Sequence, residues 1–324
     1  AASRAPLGEE AVALTHEDRC LYIYTSGTTG LPKAANVNHY RVVAAMTGFS
    51  AAAGATAEDR IYVCLPLYHT AGGVLAVGTA LIAGGAAVIA PRFSVSQFWD
   101  DVADNGCTIV QYIGELCRYL VNAPPHPKER AHRLRLATGN GLRPDVWTAF
   151  RERFAVPRIL EWYAATEGNL VLFNFDGTPG AVGRVPAWAR HRFPLLILKL
   201  DPETGEPVRD ARGRCVVAAD GEPGELVSRI VVDPRLPSQR FEGYVSPADA
   251  AGRLLRDVER EGDLWFRSGD LLRRDRRGYY YFLDRLGDTF RWKGENVASA
   301  EVDAALGEID GVRAAAVYGV AVPG

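Results

Sequence analysis

The strongest constraint on the fold is an alternation along the chain. Between residues 20 and 163, short apolar runs trade places with stretches of helical periodicity. RIYVCLPL (60–67), AAVIA (86–90), CTIVQYI (107–113) and RLATG (135–139) have the length and residue types of strands. Residues 94–105 and 143–154 read as helices. Strands alternating with helices predict an α/β layer on a largely parallel sheet.

The texture changes near residue 180. PLLILKL (194–200), GELVSRI (224–230), LWFRSGDLL (264–272) and YYYFLD (279–284) are strand-like and separated by Gly, Pro, Asp and Arg clusters. They predict a smaller antiparallel β region. After Arg285 a helix signal (299–306) and a strand-like run (312–318) follow, too short to close a core alone. The expected division by texture is residues 1–179 as an α/β part, 180–284 as a β-rich subdomain, and 285–324 as a third, incomplete part.

AGGVLAVGTALIAGGAAVIA (71–90) is uncharged over about the length of a bilayer span. Its five glycines argue against one uniform helix, and helix, turn and buried strand fit better. The net charge of −2, without a long block of either sign, excludes a broad nucleic-acid footprint. Five scattered cysteines, never spaced CxxC, predict a reduced cytoplasmic chain without a zinc site. The only methionine is Met46, and both ends of the chain read as cut.

The chemistry concentrates first in YTSGTTGLPK, residues 24–33. Thr25, Ser26, Gly27, Thr28, Thr29 and Gly30 offer hydroxyls and exposed backbone N–H donors, and glycine lets the backbone approach an anion closely. Lys33 adds a lasting positive charge. A polyphosphate is the natural complement; a mobile Ser/Thr/Gly surface turn is the plain alternative. The spacing Gly27-xx-Gly30-xx-Lys33, followed by Ala34, is not that of a Walker loop, which needs GKS or GKT to help hold Mg²⁺.

Behind this loop follow LPLYHTAG (65–72), GNGLRPD (139–145), EWYAATEGN (161–169), SGDL (268–271) and DRLGDTFRWKGENV (284–297). The ordered series resembles the adenylate-forming ligases. GNGLRPD, ATEGN and GDTFRWKGENV are similar to the fatty acid transport protein and very-long-chain acyl-CoA synthetase branch. The resemblance runs from Leu21 to the end. Members of that family begin upstream of the loop and continue beyond a point matching Gly324, so a truncated chain without the distal catalytic lysine is expected.

The resemblance implies the partial large domain of such a ligase, with ATP, Mg²⁺, coenzyme A and a long or very-long-chain fatty acid as its small molecules; residues 1–179 would be its nucleotide- and acyl-binding part, and 285–324 a hinge and the beginning of a mobile C-terminal α+β domain. It implies that the 25–33 loop and Lys33 hold the β- and γ-phosphates, that Thr166 contacts the α-phosphate, and that Glu167 holds Mg²⁺. Tyr163 would lie against adenine, although Ala164 stands where the family has glycine. Gly139, Asn140 and Gly141 would bring backbone beside the base. Asp270 and Arg285 would bind ribose, and His69 would lie near the acyl carboxylate. Gly287 would be the pivot, with Lys293 and Gly294 facing the pantetheine passage. Without the motif order, Tyr163 reads equally as a core aromatic, His69 as structural, Gly139–Gly141 as a plain turn, and Asp270 and Arg285 as solvated charges.

The expected activity is an ATP-dependent fatty acyl-CoA ligase. A non-catalytic nucleotide-binding remnant is the alternative, and a phosphate-loop hydrolase fits the Gly/Lys spacing poorly. Residues 74–89 could line an acyl tunnel or simply pack in a core. No nucleic-acid partner is expected, and a peripheral membrane contact is left open for the full-length protein.

Overall fold

The chain enters the fold through a hairpin. Strand β1 (Arg19–Thr25) runs antiparallel to β2 (Lys33–Asn38), with Thr25 opposite Lys33. The computed structural model describes residues 13–25, 32–233, 235–287, 290–292, 295–297, 299–307, 309, 311–312 and 315–318. Helix α1 (His39–Ala53) follows β2 directly. The Asn38 side chain caps it by accepting from the Arg41 N–H at 2.9 Å, and a left-handed Gly54 ends it.

The alternating part forms β3 (Arg60–Val63), α2 (Val77–Ala83), β4 (Ala86–Ile89), α3 (Phe98–Asp104), β5 (Ile109–Ile113), α4 (Gly114–Asn122), β6 (Leu136–Asn140), α5 (Pro144–Phe154), β7 (Ile159–Ala164) and β8 (Val171–Asn174). They make one sheet in the order β4-β3-β5-β6-β7-β8, parallel through β7 and closed by antiparallel β8. Helix α5 explains how one layer is held. Trp147, Phe150 and Phe154 share its buried face, and the Phe154 ring lies 4.4 Å from that of Trp99. Burial of each phenylalanine stabilises the layer by roughly 1.5–3 kcal/mol.

Two local expectations change. The strand at 60–67 stops at Val63, because Pro66 has no N–H for a ladder and its carbonyl instead closes a turn with the His69 N–H at 3.2 Å. The strand at 86–90 is an edge strand only partly covered, with Ile89 52% exposed, rather than a buried one. Upstream of it, residues 71–83 are a π-helical segment (Thr70–Ala76) running into α2, broken from β4 by left-handed Gly84. Among the described residues no helix is long and apolar enough to cross a membrane. Gly72 and Gly73 allow this packing: a Cβ at either would lie 2.4 Å from the Pro66 carbonyl oxygen or 2.1 Å from that of Leu67.

The second sheet is antiparallel. It comprises β9 (Gly183–Arg184), β10 (Leu195–Leu198), β11 (Gly224–Ile230), β12 (Leu254–Arg256), β13 (Leu264–Arg274) and β14 (Tyr279–Arg285), in the order β10-β11-β13-β14-β9, with β12 also on β13. Short helix α6 (Pro247–Ala251) precedes β12. Beyond it come a small hairpin, β15 (Phe290–Trp292) and β16 (Glu295–Val297), and helix α7 (Ser299–Gly307). Asp284 receives the Ser299 N–H at 2.6 Å at the start of α7. The strand expected at 312–318 is not formed among its described residues, which pair with no other strand and so gain no ladder hydrogen bonds.

Candidate functional site

In open parallel sheets, ligands bind beyond the carboxyl ends of the strands, where the strand order reverses. Here the reversal lies between β3 and β5. A cavity of about 660 Å³ opens at those ends. His69 and Thr70 reach it after β3, Asn140 from the end of β6, and Thr166 and Glu167 from the loop after β7. The antiparallel sheet supplies Asp270 and Arg285 to the same cavity, and β1 supplies Thr25.

Glu167 is buried. Tyr244 donates its hydroxyl to Glu167 Oε1 at 2.8 Å, and Arg253 Nη2 lies 3.9 Å from the same oxygen. Tyr244 is brought there by pairing between its segment and β2: the Val245 N–H donates to the Ala34 carbonyl at 2.9 Å, and the Asn36 N–H to the Gly243 carbonyl at 3.0 Å. The loop is also fixed at Thr166, whose hydroxyl is 3.1 Å from that of Thr70. Asn169 anchors its far end through Nδ2, which donates to the Arg229 and Gln239 carbonyls at 2.8 and 2.9 Å.

Asp270 faces Arg285 across the β13–β14 ladder, with Arg285 Nε 3.8 Å from Oδ1. The Tyr163 hydroxyl donates to Asp270 Oδ2. Burial pushes the Asp270 carboxyl above its ordinary range, against the hydrogen bond from Tyr163 and the nearby Arg285 and Arg253. The preceding Gly269 has φ +73°, and the Arg253 guanidinium occupies the space beside it: a Cβ there would sit 2.4 Å from Nη1. Glycine thus lets Arg253 lie between Glu167 and the β13 backbone, where its Nη1 also donates to the Ser268 carbonyl at 2.6 Å.

Thr25, His69, Asn140, Thr166, Glu167, Asp270 and Arg285 therefore meet at one cavity. Lys33 stands outside its lining. Its Nζ is 3.5 Å from Asp249 Oδ1 and 6.0 Å from the Tyr244 ring centroid, one residue removed from Glu167. Tyr163 also lies outside the lining, with its hydroxyl bonded to Asp270, which does line the cavity. Gly139 and Gly141 do not line the cavity; a Cβ on Gly139 would lie 2.3 Å from the Tyr112 carbonyl oxygen, so that glycine answers to sheet packing. Gly287 sits in the turn after β14. Ser26, Gly27, Thr28, Thr29, Gly30, Lys293 and Gly294 lie outside the described residues.

Sequence reasoning missed Arg41, Thr70, Tyr244, Arg253 and Glu161. For Glu161 a signal existed: an acidic residue inside the apolar run RILEWYA should be buried and partnered. It accepts from the Leu142 N–H at 2.9 Å and from the Tyr112 hydroxyl, and so holds the turn that carries Asn140. Burial pushes its carboxyl up to about 8. Tyr244 and Arg253 carry no comparable local signal, since only strand pairing and a bend bring them to Glu167.

The donor set also bears on Mg²⁺. Tyr244 and Arg253 both address Oε1 of Glu167, and among the described residues Oε2 has no hydrogen-bond partner. Magnesium is commonly held by one or two carboxylates together with substrate phosphates, so a single buried carboxylate lining a cavity of about 660 Å³ fits. Among the described residues no cluster of three or more His, Cys, Asp or Glu could form an all-protein cage.

Comparison with known proteins adds relatives to this geometry. Residues 2–231 match the family described as AMP-binding enzyme. Mouse long-chain fatty acid transport protein 3 is 49% identical over 308 residues, covering 95% of this chain and 45% of the relative. Human long-chain fatty acid transport protein 1 is 48% identical over 323 residues, covering 100% and 50%. The chain thus spans about half the length of the curated relatives it matches. Among solved structures, ATP-bound MatB from Rhodopseudomonas palustris superposes with a TM-score of 0.75 at 27% identity, over 95% of this chain and 56% of that one. The AMP complex of o-succinylbenzoate coenzyme A synthetase from Bacillus subtilis shares the fold, with a TM-score of 0.72 at 22% identity, over 95% and 58%.

Proposed function

Because the chain belongs to the AMP-binding enzyme family, we propose that it carries the nucleotide- and acyl-binding part of an ATP-dependent fatty acyl-CoA ligase. The observation that carries this reading is convergence: Thr25, the Thr166–Glu167 pair and Asp270, from three distant parts of the sequence, line one cavity. The fatty acid transport proteins among its relatives favour a long or very-long-chain acid. The apolar wall of the cavity, with Phe49, Val74 and Leu75, offers such a chain a dry surface.

In the first step a carboxylate oxygen attacks the α-phosphorus of ATP, the bond to the bridging oxygen breaks, and pyrophosphate leaves. The acyl-AMP then has a good leaving group. Coenzyme A thiolate attacks its carbonyl carbon and AMP departs. The protein's share is alignment and charge compensation, which dominate phosphoryl chemistry of this kind. Asp270 and Arg285 hold the ribose, the carboxylate accepting from both hydroxyls. Tyr163 supports Asp270 from behind. Thr166 addresses the α-phosphate, while Lys33 and the loop residues Ser26–Gly30 hold the β- and γ-phosphates. His69 borders the acyl entrance. Mg²⁺, when bound through Glu167, neutralises phosphate charge and polarises the leaving group.

The expected division stands as part of the reading: residues 1–179 bind nucleotide and acyl chain, 180–284 close the ribose side, and 285–324 begin the segment that pivots at Gly287 to bring Lys293 and Gly294 toward coenzyme A. The second reading is a chain that binds nucleotide without turnover. Incubation with ATP, Mg²⁺ and a fatty acid, with and without coenzyme A, separates the two. Pyrophosphate release supports the ligase, whereas ATP binding without pyrophosphate supports the binding-only chain. Free phosphate as the product would defeat both.

A further inference from the structure

We infer that Arg41 is a positioning residue for the cation-binding carboxylate, an inference that rests on the nucleotide reading above. Arg41 lies in the first turn of α1, 125 residues before the loop it serves. Its Nη2 donates to the Thr166 carbonyl at 2.9 Å and to the Gly168 carbonyl. These two carbonyls flank Glu167, so one guanidinium nitrogen ties down the backbone on both sides of that residue. The charge of Arg41 is balanced by Glu242 and by Glu167 itself, against a burial that lowers its pKa from the usual arginine value.

The clamp has a chemical consequence. A loop of the type Thr-Glu-Gly has one residue with no side chain, and its peptide planes turn easily. Glu167 can meet a cation with its remaining oxygen only if its backbone is fixed, since Tyr244 and Arg253 hold only Oε1. Arg41 supplies that fixing from the α1 side, while Thr70 holds Thr166 from the π-helical side. Asn38 in turn sets the first turn of α1 by capping the N–H of Arg41 itself. The strand β2, the cap, the arginine and the acidic loop thus form one mechanical chain from the phosphate hairpin to Glu167.

Positioning of a cation ligand differs from general stabilisation, and the difference is measurable. In the full 324-residue chain, Arg41→Ala is expected to raise the Mg²⁺ concentration needed for half-maximal ATP binding by on the order of tenfold. AMP binding without Mg²⁺ is expected to fall by less, about threefold, because Thr70 still holds the Thr166 hydroxyl. Arg41→Lys, which keeps a charged donor of shorter geometry, is expected to show a smaller rise, and it serves if the alanine variant does not fold. Arg158→Ala is the control: Arg158 Nη2 donates to the Ala52 carbonyl at 3.2 Å at the opposite end of α1, away from the cavity. It is expected to change thermal stability and not the Mg²⁺ requirement. An unaltered Mg²⁺ requirement in folded Arg41 variants overturns the inference. So does an equal loss for AMP without Mg²⁺, which marks a general or direct nucleotide contact. A parent chain that binds neither nucleotide overturns the nucleotide reading itself.

Discussion

Two of the regions that bury carboxyl groups do so in opposite ways. In the parallel sheet, Glu161 on β7 is 2% exposed and meets neutral donors, the Leu142 N–H and the Tyr112 hydroxyl. At the cavity, Glu167 and Asp270 are approached by Arg253, Arg285 and, through the electrostatics of the loop, Arg41. Burial without a cation favours the protonated acid, which can still serve as a hydrogen-bonding strut. Guanidinium groups beside a buried carboxyl oppose that effect, and at Asp270 they offset the upward push of burial only in part. The first arrangement supports the site from below; the second can exchange partners when a ligand arrives.

The pH dependence of stability tests the contrast most severely. The Glu161 carboxyl is pushed up to about 8 from 4.5. Below pH 4.5 both folded and unfolded chains hold its proton, and its contribution is complete. Between 4.5 and 8 the unfolded chain releases the proton while the folded chain keeps it, so stability falls as pH rises. The loss amounts to at most roughly 5 kcal/mol. Glu161→Gln should remove that slope, measured as urea midpoints at pH 5 and pH 8. Identical slopes in parent and variant would erase the distinction between the two regions.

At the cavity, Glu167→Gln should lower fatty-acid-dependent pyrophosphate release by on the order of a hundredfold to a thousandfold, as removal of a charge-stabilising group does. A variant with parental turnover would take Glu167 out of the site. Asp270→Asn should weaken ATP binding about tenfold, readable by calorimetry, because an amide offers one uncharged acceptor oxygen where the carboxylate offers two. The smallest effect is expected from Tyr163→Phe. Loss of its hydrogen bond removes an influence that lowers the Asp270 pKa, so the carboxylate should protonate at higher pH. ATP affinity should therefore decline at a higher pH on acidification, with a change of only about threefold near neutrality. An unchanged pH profile would separate Tyr163 from ribose binding.

Much of the layered fold was legible because it follows from local pattern. Apolar runs with helices between them specify a parallel sheet, and GELVSRI at 224–230 forms β11 over the same residues. Proline and exposure limited two of the other strands, at Pro66 and at Ile89, where local apolarity says nothing about a missing N–H or a missing neighbour strand. The site was legible only in outline. Order of motifs pointed to Thr166, Glu167 and Asp270, but Arg41, Tyr244 and Arg253 carry no pattern of their own.

The sequence alone determined which residue types and periodicities were available: strands, helices, a hydroxylated lysine-ended loop and an acidic Thr-Glu pair. Tertiary structure alone decided which charges face which. Strand pairing brings Tyr244 to β2, a left-handed glycine makes room for Arg253, and a capped helix aims Arg41 at two carbonyls. The physical reason is range. Periodicity and propensity act over a few residues, whereas Arg41 and Thr166 stand 125 residues apart, and Asn36 and Glu242, in the pairing that carries Tyr244, stand 206 apart; such contacts exist only once the sheets have paired.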